Sequence, residues 1–590
     1  MRAALVLILY ALALGGCSMS IPTKPYENVS DKAQRYGEMK QELTAWIKKG
    51  MRKHKITGMS IALLDEGEIV WAEGFGWADK NKQRQADVNT LYKAGSISKV
   101  FTASAVMQLV EQGKVDLDVP IQTYIPELKP KYHFEMNTPI TLRQIMSHRS
   151  GLTGDRLSGM FTEHPKRFDT IIEHLNRVHH PYAPNTVTAY SNLATDLQGI
   201  VIERVTGERF EDYMEQHILK PLGMKTSTFN DGHVVPELMS QAYRHNKEGI
   251  ELPLRDLPAG NLYTSALELS RFANMVMQNG DPILEPNSIR KMLQPQVDME
   301  TTHGLGGEHG LNWVIDEPDL NHLGRVAWHN GGTIHFFSYL VILPDHGLSL
   351  VVLANSDTAL AFEQKLVHKI LKQAAAIKSG TPIIESTPTH SAYTPMPASM
   401  YQSLPGMYAT MAGPLKLSGS GKTVKGKFMG LTIKLSHHED GWLSPHPRLF
   451  GVIPLPAKIM QGIRIKPVEI NGDRLLIADY KGSILPIAVR VEPYTIPPQW
   501  NNFKGKYTLD EADTSYNFFH QLHITESHGY IIISTRVPNQ GKLKLIVRSV
   551  SDNTGVLESY GRSGRETIYF ENANGRPAIR LLGYHFIKDE

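Results

Sequence analysis

Cysteine is almost missing from this chain: one residue, Cys17, stands among 590. No intramolecular disulfide can form, and no cysteine-rich zinc or redox motif can be assembled. Charge of a single sign is lacking too. With 62 basic against 59 acidic residues the formal net charge is +3, and no run of like charge suggests nucleic acid or a polybasic membrane patch. After residue 20 no apolar stretch is long enough to span a bilayer; the richest, 336–353, is broken by Pro344-Asp345-His346-Gly347. The pairs His179-His180 and His437-His438 lack a set of ligand partners, so neither a metal nor a cofactor is expected.

What is present begins at the N-terminus. Arg2 precedes an apolar run over 3–14, too short for a membrane span and suited to a secretory signal. Leu14-Gly15-Gly16-Cys17 resembles a bacterial lipobox, in which the cysteine becomes the lipidated first residue of the mature protein. The competing reading is ordinary cleavage after a small residue, with Cys17 incidental. Ser18, in place of an acidic residue, fits the sorting pattern of outer-membrane lipoproteins in a Gram-negative source. Residues 1–17 are therefore read as signal and lipobox, 18–34 as a polar tether, and the membrane as a partner reached through lipidated Cys17.

Helical spacing starts near residue 36, with Met39, Leu43, Trp46, Ile47 and Met51 on one stripe. Residues 56–64 and 68–74 flank Asp65-Glu66-Gly67, a hairpin signal. A small-residue turn, Ala94-Gly95-Ser96, runs into an apolar helix ending near Leu109. Thr141 caps a short helix over 140–148. Further helices are predicted over 168–178, 193–206, 210–222 and 265–279, with a glycine-bearing loop at 258–262. Strands are predicted at 310–316, 326–328, 338–343 and 348–354, and a last helix at 361–377. Two early strands, a helical middle and late strands imply one antiparallel sheet built from both ends of the segment, flanked by helices. The fold class is α+β.

Past Lys378 a Pro/Ser/Thr-rich linker, 381–397, marks a domain boundary. Hairpin signals dominate beyond it. Gly406-Met407-Tyr408 and Gly505-Lys506-Tyr507 open two blocks of similar length, read as all-β barrel or sandwich modules at 398–495 and 496–590. The alternative is a single larger β domain.

Three short elements in the first body carry chemistry. Ser96-Ile97-Ser98-Lys99 places a hydroxyl and an amine three residues apart, on one face of a helix that starts just after Ser96. Tyr190-Ser191-Asn192 and His329-Asn330-Gly331-Gly332 follow in order. Ser-x-x-Lys, Ser-x-Asn and Lys-Thr-Gly form the signature of β-lactamases and penicillin-binding proteins; Tyr190-Ser191-Asn192 resembles the Tyr-x-Asn form of its second element and His329-Asn330-Gly331 the His-x-Gly form of its third. Lys378-Ser379-Gly380 matches the usual third element more literally, but it ends a helix at the linker, whereas that element must lie on a strand facing the serine. Residues 35–380 resemble the serine β-lactamase-related family, which includes class C β-lactamases, D-Ala-D-Ala carboxypeptidases, D-aminopeptidases and some esterases.

The resemblance implies a β-lactamase/transpeptidase-like fold and an acyl-enzyme on Ser96. Lys99 or Tyr190 would take the serine proton, and the sequence leaves both open. Asn192 would orient Lys99 and bind the substrate amide. The amides of Ser96 and Gly332 would form an oxyanion hole, with His329, Asn330 and Gly331 on the facing strand. Where the family carries a lysine, His329 titrates near neutrality and makes a weaker carboxylate anchor. Arg149, Asp155, Arg156 and Gly260-Asn261 are candidates for shaping the pocket. The expected function is an envelope-anchored serine hydrolase acting on a small-molecule or peptide amide or ester, with a D-amino-acid peptide as the leading substrate class. A carboxylesterase or weak β-lactamase is the alternative within this chemistry. A non-catalytic envelope binding or scaffold protein is the alternative outside it. The β modules are expected to stabilise the body or cover the site in part.

Overall fold

The structure, a computed structural model, describes residues 21–296, 303–304, 308–381, 391–420, 423–449, 453–454, 462–470, 472–510, 516–537, 541–559, 562, 564–573 and 575–590. The expected signal, Cys17 and the start of the tether lie outside the described residues, as does most of the linker. Among the described residues no helix is long and apolar enough to cross a membrane.

The body is set by its apolar periods. Met39, Leu43, Ile47 and Met51 fall on one face of α1 (Gly37–His54) and are buried. That face and the stripe Phe362, Leu366, Ile370 and Ala374 of α6 (Leu360–Ser379) share one hydrophobic core against a seven-stranded sheet. Its order is β1 (Thr23–Pro25), β3 (Glu68–Asp79), β2 (Gly58–Asp65), β6 (Leu348–Ala354), β5 (Phe337–Leu343) and β4 (Ala327–Gly332), with a short strand, Arg84–Gln85, added to β3. Every pair is antiparallel, and β2 lies beside β6, with Ala62 opposite Val351. Both ends of the segment therefore meet in one sheet, as its pattern predicts. The other sheet face carries α2 (Ser98–Glu111), α3 (Leu142–Met146), α4 (Asn192–Thr206) and α5 (Ala266–Met277).

Three expectations fail locally. The tether is not free throughout: Thr23–Pro25 pairs with 73–75 as an edge strand, and Tyr36 donates a buried 2.8 Å hydrogen bond to Asp65. A short strand here covers the β3 edge. Residues 310–316 form no strand. Leu311 and Trp313 are buried, but Asn312 takes φ +60°, which ends any extended run, and its Nδ2 donates to the carbonyl of Lys99 at 2.9 Å. The loop at 258–262 begins with a helical turn, Leu257–Gly260.

Beyond the linker are two closed eight-stranded barrels. The first runs from Gly406–Thr410 to Ser483–Val491 and closes through the pairing of Leu431–His438 with Leu443–Leu449, with two short strands appended. The second runs from Gly505–Leu509 to Tyr584–Lys588. Closure removes the sheet edges and rules out a single larger β domain. The Gly-x-Tyr echo has a physical meaning. In each barrel the tyrosine of the opening strand bonds back to the carbonyl four residues earlier, Tyr408 to Leu404 at 3.0 Å and Tyr507 to Phe503 at 2.8 Å.

The second barrel is seated on the body. The amide of Leu157 donates to Leu582 at 2.9 Å, that of His179 to the Tyr569 hydroxyl at 2.9 Å, and that of Tyr516 to Phe161 at 2.8 Å.

Candidate active site

A close backbone contact fixes the nucleophile. Gly95 has φ +53°, and a Cβ on it would stand 2.6 Å from the amide nitrogen of Gly332. A Cβ on Gly331 would meet the carbonyl of Ala94 at 1.9 Å. The turn Gly95–Ile97 thus lies directly against the end of β4, and Ser96 and Gly332 line one cleft, as an oxyanion hole requires.

Lys99 is fully buried, one turn into the structure behind Ser96. Its Nζ lies 2.7 Å from Asn192 Oδ1, 2.7 Å from the carbonyl of Ala259 and 3.1 Å from Ser96 Oγ. The first two partners can only accept, so they take two N–H groups. The third position of the amine then points at Ser96, as an N–H in the ammonium and as a lone pair in the neutral amine. Tyr190 donates from its hydroxyl to Ser96 Oγ at 2.8 Å, and its ring centre lies 4.9 Å from Lys99 Nζ. Ser191 caps α4 through a 2.9 Å bond from the amide of Ala194, which sets Tyr190 and Asn192 on either side of the cap. Both candidate bases therefore touch the nucleophile.

Behind this group stands a carboxylate. Asn192 Nδ2 donates to Asp155 Oδ1 at 2.7 Å, which fixes the amide so that its oxygen faces Lys99. Asp155 is 2% exposed and accepts two further bonds from Arg562, Nε at 2.7 Å and Nη2 at 2.8 Å. Burial opposes ionisation of Asp155, but the guanidinium and the Asn192 N–H outweigh it and hold the pKa below the ordinary value. The Arg562 guanidinium also sits 5.1 Å over the Tyr190 ring. Arg562 belongs to the second barrel, 407 residues from Asp155 in the chain, and no local sequence signal marks it. Glu566, four residues on, accepts from the Thr153 hydroxyl and, at 2.8 Å, from the amide of Gly154. His148 was also missed as a site residue: its ring centre is 4.4 Å from that of Tyr190, and its Nδ1 accepts from the amide of Ser191 at 3.3 Å.

The third element departs from expectation twice. His329 is buried, and its Nδ1 lies 2.6 Å from the Asn330 carbonyl. Burial, then the Lys99 charge, drives its pKa down to about 3, so it is a neutral imidazole and not an anchor that titrates near neutrality. Asn330 does not face the cleft. Side chains alternate along β4, and Asn330 lies opposite Tyr339, on the sheet face that packs against α1 and α6. Among the pocket candidates, Asp155 and Gly260 line the cavity beside Ser96, whereas Arg149 is bound to Asn185 and Asn261 to the Phe229 carbonyl. Lys378 ends α6 and pairs with Asp65 and Glu66, remote from Ser96. Elsewhere Glu317, Asp319 and His368 place ligand atoms within 4.8 Å of one another, with the Lys481 ammonium paired to Asp319.

The Beta-lactamase family model matches residues 43–375, the segment that holds all three elements. The chain belongs to the beta-lactamase family. Protein flp of Staphylococcus aureus (strain MW2) is 26% identical over 351 residues, which are 57% of this chain and 66% of flp, so the match spans just under two thirds of that relative. A beta-lactamase of Pseudomonas fluorescens is 25% identical over 369 residues, 57% of this chain and 98% of its own. Among solved structures, the octameric penicillin-binding protein homologue from Pyrococcus abyssi aligns with 85% of this chain and 99% of its own at 20% identity and a TM-score of 0.52. SurE aligns with 77% of this chain and all of its own at 22% identity and a TM-score of 0.55. These two show likeness of fold.

The body is thus a beta-lactamase family domain. The arrangement can support attack by Ser96 Oγ on a carbonyl, with Lys99 and Tyr190 both placed to receive its proton and the Ser96 and Gly332 residues placed to present amides to an oxyanion. Asp155 and Arg562 act one layer back, on Asn192.

Glu566 makes the barrel junction sensitive to pH. Burial raises its pKa from 4.5 to about 7, against the lowering effect of its bonds to Thr153 and Gly154. A raised folded-state pKa stabilises the docked form below the free carboxyl's pKa, and the contribution is lost as pH rises through about 7. The thermal midpoint of the junction should therefore fall between about pH 6 and about pH 8 in the native chain, and that slope should flatten in Glu566→Gln. An unchanged slope in the variant would assign the pH dependence to another group.

Proposed function

We propose that this chain is a peptidase acting on D-amino-acid peptides with a free carboxyl terminus, through an acyl-enzyme on Ser96. The observation that carries this reading is the cation of the cleft. His329 is neutral, and the positive charge facing the same cavity as Ser96 and Asn192 is Arg562. Its Nε and Nη2 are held by Asp155, while its side chain keeps 42% of its exposure, enough for a substrate carboxylate to approach. A guanidinium suits a planar carboxylate better than an imidazole does. SurE, similar in fold at 21% identity and a TM-score of 0.53, has been solved with D-Leu, which supports the same substrate class here.

The test is a panel of D-terminal dipeptides with free and amidated carboxyl ends, alongside short-chain esters and a cephalosporin. The free-carboxyl peptides should exceed their amides in kcat/KM by at least about tenfold, which is what ~1.4 kcal/mol from one charge-assisted hydrogen bond gives. Ser96→Ala should abolish turnover. Equal rates for acid and amide, with faster hydrolysis of simple esters, would move the reading to a carboxylesterase.

We also propose attachment to the bacterial envelope through lipidated Cys17, supported by the signal-like run, the lipobox and the exclusive use of cysteine there. Palmitate labelling of the chain in its host should be lost in Cys17→Ser; labelling that persists would contradict the anchor.

A further inference from the structure

We propose that the lumen of the second barrel is a substrate subsite, and that it receives an aliphatic chain on the molecule whose carbonyl reaches Ser96. The proposal rests on the reading of Ser96 as nucleophile and extends it to a substrate class.

One cavity of about 400 Å³ contains both places. At one end it is lined by Ser96, Asp155, Asn192, Gly332 and Arg562, and at the other by residues from inside the barrel. That volume falls in the range of small-molecule pockets. The chemistry along it is uneven: the charged groups are Asp155, Asp256 and Arg562, and most of the barrel residues in its lining are hydrocarbon.

Alternation along the barrel strands explains the hydrocarbon end. Inward-facing residues stack in layers. The layer remote from the serine is filled, with Ile524, Ile531, Val547 and Ile579 buried and the Trp500 and Phe570 rings 4.5 Å apart beneath them. The layer nearer the serine is not filled. Leu522, Ile533, Leu557 and Leu581 line the cavity there, and Leu543 and Leu545 remain partly exposed to it. Met411, from the hairpin tip of the first barrel, adds a flexible thioether to the same rim. Leucine side chains left half-exposed inside a barrel, in a space continuous with the nucleophile, fit a ligand that supplies both the reacting carbonyl and the missing hydrocarbon. An aliphatic chain is that occupant, since the described barrel residues along the lining are aliphatic or aromatic apart from the hydroxyls of Thr535 and Ser559 and the guanidinium of Arg562. Each methylene moved from water into such a lining raises affinity several-fold.

The test uses the full-length enzyme and two ester series, p-nitrophenyl esters from acetate to octanoate and acetate esters of alcohols from ethanol to octanol, so that the chain is carried on either side of the scissile bond. In one series kcat/KM should rise at least about tenfold with chain length. Leu545→Trp, which fills the lumen, should bring the long-to-short ratio of kcat/KM to about one, and so should Leu543→Lys, which sets a charge at the half-exposed mouth. Using the ratio within each variant separates specificity from partial unfolding. Flat dependence in both series, or a chain-length gain that survives both substitutions, would overturn the subsite while leaving Ser96 as nucleophile. Hydrolysis of every ester at the wild-type rate by Ser96→Ala would instead overturn the reading on which the subsite rests. An apolar dye displaced from the lumen by Leu545→Trp, with no change in ester selectivity, would make the lumen a separate binding site and also overturn the proposal.

Discussion

The candidate site depends on one ion pair, a buried carboxylate held by a guanidinium that is open to the cleft. Asp155 sits almost without solvent behind Asn192, where an ionised carboxylate cannot persist uncompensated, and the compensation comes from Arg562 of the second barrel at 2.7 and 2.8 Å. With its charge held, Asp155 fixes the Asn192 amide, the amide oxygen fixes Lys99, and Lys99 faces Ser96. Removing Arg562 leaves the Asp155 carboxylate buried and uncompensated, at a cost that solvent around the exposed guanidinium holds below that of a fully buried pair. The barrel therefore reaches the candidate site of the body through Asp155. Glu566 on Thr153 and Gly154 holds the same loop from the same side.

The division of labour in the cleft follows from this seating. The body contributes the serine, the two possible bases and the oxyanion donors, all on elements whose local pattern dictates their form. The barrel contributes the cation and most of the hydrocarbon wall. With His329 neutral, β4 contributes shape and backbone to the cleft, and a positive charge stands on the barrel wall at Arg562. The cavity beside Ser96 thus lies at the junction between domains, which is where ligand sites commonly lie.

Much of this was legible in the sequence because it is local. Ser96 and Lys99 are one helical turn apart, Tyr190 and Asn192 flank an N-cap, and the stripes of α1 and α6 declare their buried faces. The repeated Gly-x-Tyr was also a true signal, since Tyr408 and Tyr507 make the same backward bond. What escaped depends on tertiary context. Arg562 meets Asp155 only because a barrel docks. The charge state of His329 is set by burial and by Lys99, neither visible in a motif. Asn330 faces away from the cleft because side chains alternate along β4, which the His-x-Gly spacing alone does not express. Residues 310–316 looked like a strand because Leu311 and Trp313 are apolar at alternate positions, yet the left-handed Asn312 turns the backbone to hold Lys99.

The central claim is that the barrel acts on catalysis through the pair of Arg562 and Asp155, and a double-mutant cycle on the rate of Ser96 acylation by a fluorophosphonate tests it most directly. Wild type, Arg562→Met, Asp155→Asn and the double variant would be compared. The account predicts a coupling of about 1–3 kcal/mol, with the double variant losing far less than the product of the single losses. Losses that multiply to within about 0.5 kcal/mol would contradict it, and would make the two residues independent supports of the site.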